Sequence, residues 1–294
     1  MTYTQLWHRL TAIYDQDEAK AIARWVLDVR FGLSMTDILC GKDTQLSADH
    51  QQELEEIAQR LEKAEPVQYV LGVADFCGRQ VHVGPGVLIP RPETAELCQT
   101  IIGTVSSMSR PLRILDIGTG SGCIAITLAL DIPGSRVMAW DISPQAVETA
   151  RRNARRLGAQ VEVEEFNALG AGGVPCLTPC LERDDRTNLP QWDVIVSNPP
   201  YVFYDEREEM TPSVLQHEPH EALFAPDDNP WMLYNSIARY ASQTLRPQGM
   251  LFLETNPRMA EQLAIDVMAH LGSGTVAACD DTYGRKRFII AQKD

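Results

Sequence analysis

Ser-Asn-Pro-Pro-Tyr at 197–201 is a run whose residue types point to chemistry rather than to packing. Two consecutive prolines fix φ, drive Asn198 out of the α region and remove two backbone N–H groups, leaving a rigid segment rich in acceptors. An NH₂ group on a carbonyl or ring carbon carries two donors; the Asn198 side-chain oxygen and the Pro199 carbonyl can accept both, while Tyr201 stacks on the flat group. An amide nitrogen is a poor nucleophile because its lone pair is delocalised. Acceptors that favour its pyramidal form therefore help the transition state more than the planar ground state. Asn198, Pro199, Pro200 and Tyr201 are the expected substrate-binding set, for a reaction that requires neither a metal ion nor a nucleophilic Ser or Cys.

A second constellation is Asp-Ile-Gly-Thr-Gly-Ser-Gly at 116–122, after the apolar strand RILDI and before a helix. Such a turn brings backbone close to a ligand, but nicotinamide, flavin and S-adenosylmethionine folds all use one. Asp141, closing the next strand, is placed to accept hydrogen bonds from both hydroxyls of an adenosine ribose. Cys123 stands where a dinucleotide fingerprint has its third glycine, and Asp116 repels phosphate while suiting a sulfonium or amino group. The expected cofactor is S-adenosylmethionine, with S-adenosylhomocysteine as product, held by Gly118, Thr119, Gly120, Ser121, Gly122, Asp141, Asn167, Ala168 and Asn198. Asn167 follows the third strand, where it either reads the adenine amine or serves as a turn residue.

The elements that must position these residues follow from periodicity. Residues 1–66 read as a small helical bundle: Leu6, Leu10 and Ile13, then Ile22, Trp25, Val26 and Val29, recur at helical spacing. Ser34 opens a short helix ending at Gly41, and Ser47 caps another that buries Leu54, Ile57 and Leu61 before Pro66. Residues 67–92 read as a linker containing a hairpin, with Gln80–Val83 and 87–89 as strands around Gly84-Pro85-Gly86. From 93 to 294, strands at 113–117, 137–141, 161–166, 192–198, 250–255 and a final FIIAQ alternate with helices. This pattern predicts an α/β, Rossmann-like parallel sheet covered on both faces. The stretch 170–190 is rich in Gly, Pro and charge and reads as a surface insertion.

VLIPRPET at 87–94, DIGTGSG, the strand ending in Asp141, SNPPYV, and EP and EAL at 218–223 together resemble the HemK-like protein N5-glutamine methyltransferases. The likeness covers most of the chain from Glu65 onward. It implies a class I S-adenosylmethionine-dependent methyltransferase sheet and methylation of the glutamine in the Gly-Gly-Gln loop of class I peptide chain release factors. It further implies that Asn198, Pro199, Pro200 and Tyr201 clamp that glutamine and that the N-terminal helices help dock the release factor. Asn167 departs from the Asp common at that place, and the 170–190 insertion is longer than the family leads one to expect. A related branch acts on a ribosomal protein, and IPRPET matches the release-factor branch better.

Composition narrows the alternatives. With 44% apolar, 22% charged and 7% aromatic residues the chain is globular, with room for one large domain or two unequal ones. Adenine-N6 methylation of DNA is the rival enzyme, because Asn-Pro-Pro-Tyr also suits a flipped base. However, 26 Lys and Arg against 40 Asp and Glu give a net charge of −14, which repels a phosphate backbone, so no direct nucleic-acid binding is expected. A nicotinamide oxidoreductase is weakened by Cys123, and a mere docking module by the intact Asn-Pro-Pro-Tyr and Asp141. No leader or membrane span is legible, so a cytoplasmic location is expected. The seven cysteines read as reduced thiols; Cys176 and Cys180 lack a second pair to complete a zinc site. His217 and His220 read as part of a polar loop. Arg91, between two prolines, either orients substrate or pins the hairpin.

Overall fold

A computed structural model describes residues 1–108, 110–168, 190–226 and 228–294. They divide into two compact units: Met1–Val73 with Val83–Pro85 and Glu209–Glu218, and Ala74–His82 with Gly86–Glu208 and Pro219–Asp294.

The first unit begins with α1 (Tyr3–Leu10), α2 (Gln16–Phe31), α3 (Met35–Leu39), α4 (Ala48–Leu61) and α5 (Val67–Leu71). The sequence specifies their starts: Thr2 and Ser34 form capping boxes, Asp15 accepts from the N–H groups of Asp17 and Glu18, and Ser47 accepts from that of His50. Leu6, Leu10, Ile22, Val26, Leu27, Leu54, Ile57 and Leu61 form one core. Ile13, expected in that stripe, is 48% exposed because α1 ends before it. Arg9 ties α1 to α4 through Glu55 and Glu62.

The hairpin is β1 (Val73–Phe76) and β2 (Arg79–His82), several residues earlier than expected. Its two turn residues, Cys77 and Gly78, have φ of 47° and 72°, the geometry of a tight two-residue hairpin loop. The segment 84–91, expected as its second half, is irregular up to α6 (Pro92–Val105).

Then follow β3 (Arg113–Ile117), α7 (Cys123–Asp131), β4 (Arg136–Asp141), α8 (Pro144–Leu157), β5 (Val161–Glu165) and β6 (Trp192–Ser197). After these come α9 (Pro212–His217, in the first unit), α10 (His220–Leu223), α11 (Met232–Thr244), β7 (Leu245–Glu254), α12 (Ala260–Leu271), β8 (Thr275–Asp280) and β9 (Lys286–Gln292). The expected insertion at 170–190 falls, except for Pro190, outside the described residues.

The larger sheet has seven described strands in the order β5-β4-β3-β6-β7-β9-β8. β5 through β7 are parallel, whereas β9 runs antiparallel to β7 and β8 antiparallel to β9. The sheet is therefore mixed, correcting the all-parallel expectation. A short connection from β8 to β9 reverses the chain, where a parallel neighbour would need a crossover helix. Successive strand residues face opposite sides. Leu115, Ile117, Ile195, Leu251, Leu253 and Ile289 pack with Tyr234, Ile237, Leu263 and Val267 of α11 and α12. Asp116 and Glu254, offset by one, bond instead to Ala125 of α7 and Thr94 of α6.

Candidate active site

Strand order reverses between β3 and β6, which is where open α/β sheets bind ligands beyond the carboxyl ends of their strands. Ile117 pairs with Trp140 on one side and Ser197 on the other, and Ser197 pairs with Leu253. The next residues, Gly118, Asp141, Asn198 and Glu254, therefore leave four neighbouring strands side by side. The Ser197 hydroxyl donates to the Ile117 carbonyl at 2.7 Å and locks the two central exits together.

On the β3 side the glycine turn is built around Trp140 and Asp141. The N–H groups of Gly118 and Thr119 both donate to the Trp140 carbonyl, at 2.8 and 2.9 Å. The Gly120 N–H donates to Asp141 Oδ2 at 2.8 Å, and that of Ser143 to Oδ1 at 2.9 Å. Gly118 and Gly120 have φ of 74° and 56°, and a Cβ on either would meet nothing within 4 Å, so open space adjoins the turn. Gly122 has a different reason for being glycine. A Cβ there would come 3.1 Å from the Ala150 Cβ, so this position lets α8 approach closely. Thr119 and Ser121 turn their side chains inward: the Thr119 hydroxyl donates to Asp116 Oδ2 at 2.6 Å, and Ser121 is only 2% exposed.

Asp116 is fully buried, and burial pushes its carboxyl up to about 7. Oδ2 accepts from Thr119 and Ala125, while Oδ1 has no partner. Burial also raises Asp141, against the pull of its backbone donors. Asn167 is exposed just past β5; the Ala168 carbonyl accepts from the Ser236 hydroxyl at 2.8 Å. The Phe166 N–H donates to the Asp141 carbonyl at 2.8 Å, which brings this segment beside the strand-end acid.

On the β6 side, Asn198 Nδ2 donates to Thr94 Oγ1 at 3.0 Å, and the Thr94 hydroxyl donates to Glu254 Oε2 at 2.7 Å. The Tyr201 hydroxyl donates to Glu254 Oε1 at 2.9 Å, and the Arg287 guanidinium lies 5.7 Å from the Tyr201 ring centroid. Glu254 is fully buried and pushed up to about 7 by that burial, partly offset by Thr94, Tyr201 and Arg287. Pro199 is buried and Pro200 half-buried. All the singled-out residues of the glycine turn, Asp141 and Asn198–Tyr201 thus gather at one sheet edge.

Sequence reasoning missed Glu254, Thr94 as its partner, and Ile142. Ile142 is 63% exposed beside Asp141, an apolar surface next to a polar cradle. An apolar residue directly after a strand-end acid was the readable signal. Glu254 was hidden inside the apolar run MLFLET. Arg91 sits at the N-cap of α6, before Pro92. His217 and His220 fall in different compact units. Among the described residues no group of three or more His, Cys, Asp or Glu could hold a metal ion; Cys176 and Cys180 lie outside them.

The fold is that of class I S-adenosylmethionine-dependent methyltransferases. A 16S rRNA N2 G1207 methyltransferase of T. thermophilus, determined with AdoMet and guanosine, matches 76% of this chain and 50% of its own, with a TM-score of 0.51 and 18% identity. Residues 3–72 match the family model PrmC N-terminal domain and residues 109–176 the model Methyltransferase domain. The release factor glutamine methyltransferase of Bacteroides thetaiotaomicron is 42% identical over 97% of this chain and 96% of its own. That of Flavobacterium psychrophilum is 34% identical over 97% and 96%. The chain belongs to the release factor glutamine methyltransferase family.

Proposed function

We propose that this enzyme transfers the methyl group of S-adenosylmethionine to the side-chain nitrogen, N5, of the glutamine in the Gly-Gly-Gln motif of class I peptide chain release factors. The observation that carries this reading is the Asn198 carboxamide. Its NH₂ donates to Thr94 Oγ1, which leaves Oδ1, an acceptor, to meet a substrate amide.

The residues fit the cofactor. Gly118 and Gly120 border open space, Asp141 closes the next strand, Ile142 offers an apolar face for a base, and Asp116 carries an unpartnered buried oxygen suited to a cation. We assign adenosine to Asp141, Ile142, Asn167 and Ala168. The methionine end falls to Gly118–Gly122 and Asn198, with Thr119 and Ser121 contributing through backbone, since their side chains face inward. When bound, S-adenosylmethionine supplies an already electrophilic methyl group, so the reading calls for no metal ion.

In this reading Asn198 Oδ1 and the Pro199 carbonyl accept the two N–H bonds of the glutamine amide and hold its nitrogen in line with the methyl group. The prolines keep both acceptors from moving, and Tyr201 covers the amide plane. The acceptors favour the nitrogen as it loses conjugation with its carbonyl. With the cofactor bound, the amide nitrogen held by Asn198 and Pro199 would take up the methyl group as its former bonding pair stayed with sulfur, and one amide proton would leave to water. Orientation and acceptor placement carry the rate, without a strong base.

The N-terminal helices are assigned to docking the release factor, and the reaction to the cytoplasm, where translation takes place. Adenine-N6 methylation is disfavoured by the net charge of −14 and by the names of the relatives. The deciding experiment follows tritium from labelled S-adenosylmethionine into release factor. Label should enter the intact Gly-Gly-Gln loop and be absent when its glutamine is changed. Labelling of DNA adenine instead would reverse the assignment.

A further inference from the structure

We propose that Glu254 and Thr94 are positioning residues that set which way the Asn198 amide faces and hold Tyr201 beside it. This deepens, and rests on, the substrate-clamp reading above.

The argument is one of hydrogen-bond direction. An ionised carboxylate only accepts, so both hydroxyls against Glu254 must donate to it: Thr94 to Oε2 at 2.7 Å and Tyr201 to Oε1 at 2.9 Å. With its single proton committed, Thr94 Oγ1 can only accept from Asn198, and does so from Nδ2 at 3.0 Å. Asn198 must then present Oδ1 on its other side. A reversed amide would offer donors to a substrate that itself brings donors. Asparagine carries no intrinsic preference between the two orientations, so something outside it must choose. Here the choice is made by a carboxylate at the end of β7, the strand paired with β6, which Asn198 follows.

The surroundings of Glu254 suit this task. It lies at the end of β7 with 0% exposure, its backbone carbonyl accepts from the Tyr234 hydroxyl at 3.0 Å, and Arg287 of β9 favours its charge while Glu93 of α6 opposes it. A buried carboxylate costs stability unless it is well partnered. Pure packing would be served by an apolar residue, as at Leu251 and Leu253 in the same strand.

The test uses the full-length enzyme at pH 8, above the value of about 7 to which burial raises Glu254, with release factor as substrate. Thr94→Val keeps the shape and removes the hydroxyl. It should lower kcat by about 10–100-fold, the range for losing a residue that orients a contact group, and leave the calorimetric affinity for S-adenosylmethionine within about twofold. Thr94→Ser should recover most of the rate. Glu254→Gln offers one acceptor to two donating hydroxyls, so one arm must reverse; kcat should again fall about tenfold or more with cofactor affinity kept. Melting temperature reports whether each variant is folded. A folded Thr94→Val with wild-type kcat, or Thr94→Ser as impaired as Thr94→Val, overturns the proposal. Wild-type turnover in the same assay tests the glutamine reading separately, so failure of the relay and failure of the reaction assignment give different results.

Discussion

Asn198 stands where two constraints meet: its backbone is held by the prolines that follow, and its side chain by Thr94. Removing that side chain should leave the fold and much of the cofactor affinity intact, because Asn198 is half-buried and Ser197 still bonds to Ile117. Asn198→Ala is expected to lower kcat by about 10²–10³, the cost of losing one preorganised partner of a transition state. Single-turnover kinetics on release factor check it, and an unchanged rate would remove the acceptor clamp. Asn198→Asp is a second probe, since it keeps an acceptor of the same shape but adds a charge that must be desolvated.

Among the elements, α8 carries a residue that binds three segments together. The Asn153 side chain accepts from the His82 N–H at 2.7 Å, and donates to the His82 carbonyl at 2.9 Å and to the Ser121 carbonyl at 2.8 Å. It joins the hairpin to the glycine turn while 0% exposed. Asn153→Ala leaves three backbone groups without that partner; at about 1 kcal/mol or more each, melting should fall by ~5 °C or more. Weaker S-adenosylmethionine binding should accompany it, as read by calorimetry. Most elements were legible in sequence because strong local signals coincide with them: the caps at Ser34 and Ser47, the apolar run RILDI, and the glycine turn. What was missed lacks such signals. β8, Thr275–Asp280, shows only partial burial at the sheet edge, so no apolar period marks it. The hairpin turn at Cys77-Gly78 requires positive φ at a cysteine, an uncommon turn residue, whereas Gly84-Pro85-Gly86 carries a stronger turn signature and does turn at Pro85-Gly86, but joins no pair of strands. Asn198 and Tyr201 were legible as chemistry. The partners that orient them, Thr94 on α6 and Glu254 on β7, lie 104 and 53 residues away and meet them only once that helix and strand are packed in place.

For the whole molecule, the expected division of labour assigns cofactor and chemistry to the sheet unit and protein recognition to the helical unit. The helical unit exposes Leu39 at 77% and Met35 at 40%, large apolar side chains on α3 that its own core does not cover. Under the docking assignment, Leu39→Ser with Met35→Ser should raise KM for intact release factor by about tenfold, a loss of ~1.4 kcal/mol of contact. The KM for S-adenosylmethionine should stay unchanged. Equal KM values for release factor before and after the change would assign α3 a role in stability alone.

If the cofactor sulfonium lies beside the unpaired oxygen of Asp116, as the proposed site has it, cofactor binding becomes a proton-exchange reaction. Burial pushes this carboxyl up to about 7, so the free enzyme carries a proton there over part of the neutral range. A sulfonium arriving over the glycine turn stabilises the charged form and lowers that value, so binding expels part of a proton. Affinity should therefore climb as pH rises from about 6 to 8 and level off above, where the proton is already gone. The observed binding enthalpy at pH 7 should vary linearly with the ionisation enthalpy of the buffer, with the sign of proton release, and Asp116→Asn should flatten that line. A flat line for the unmodified enzyme would place the positive charge of the ligand away from Asp116.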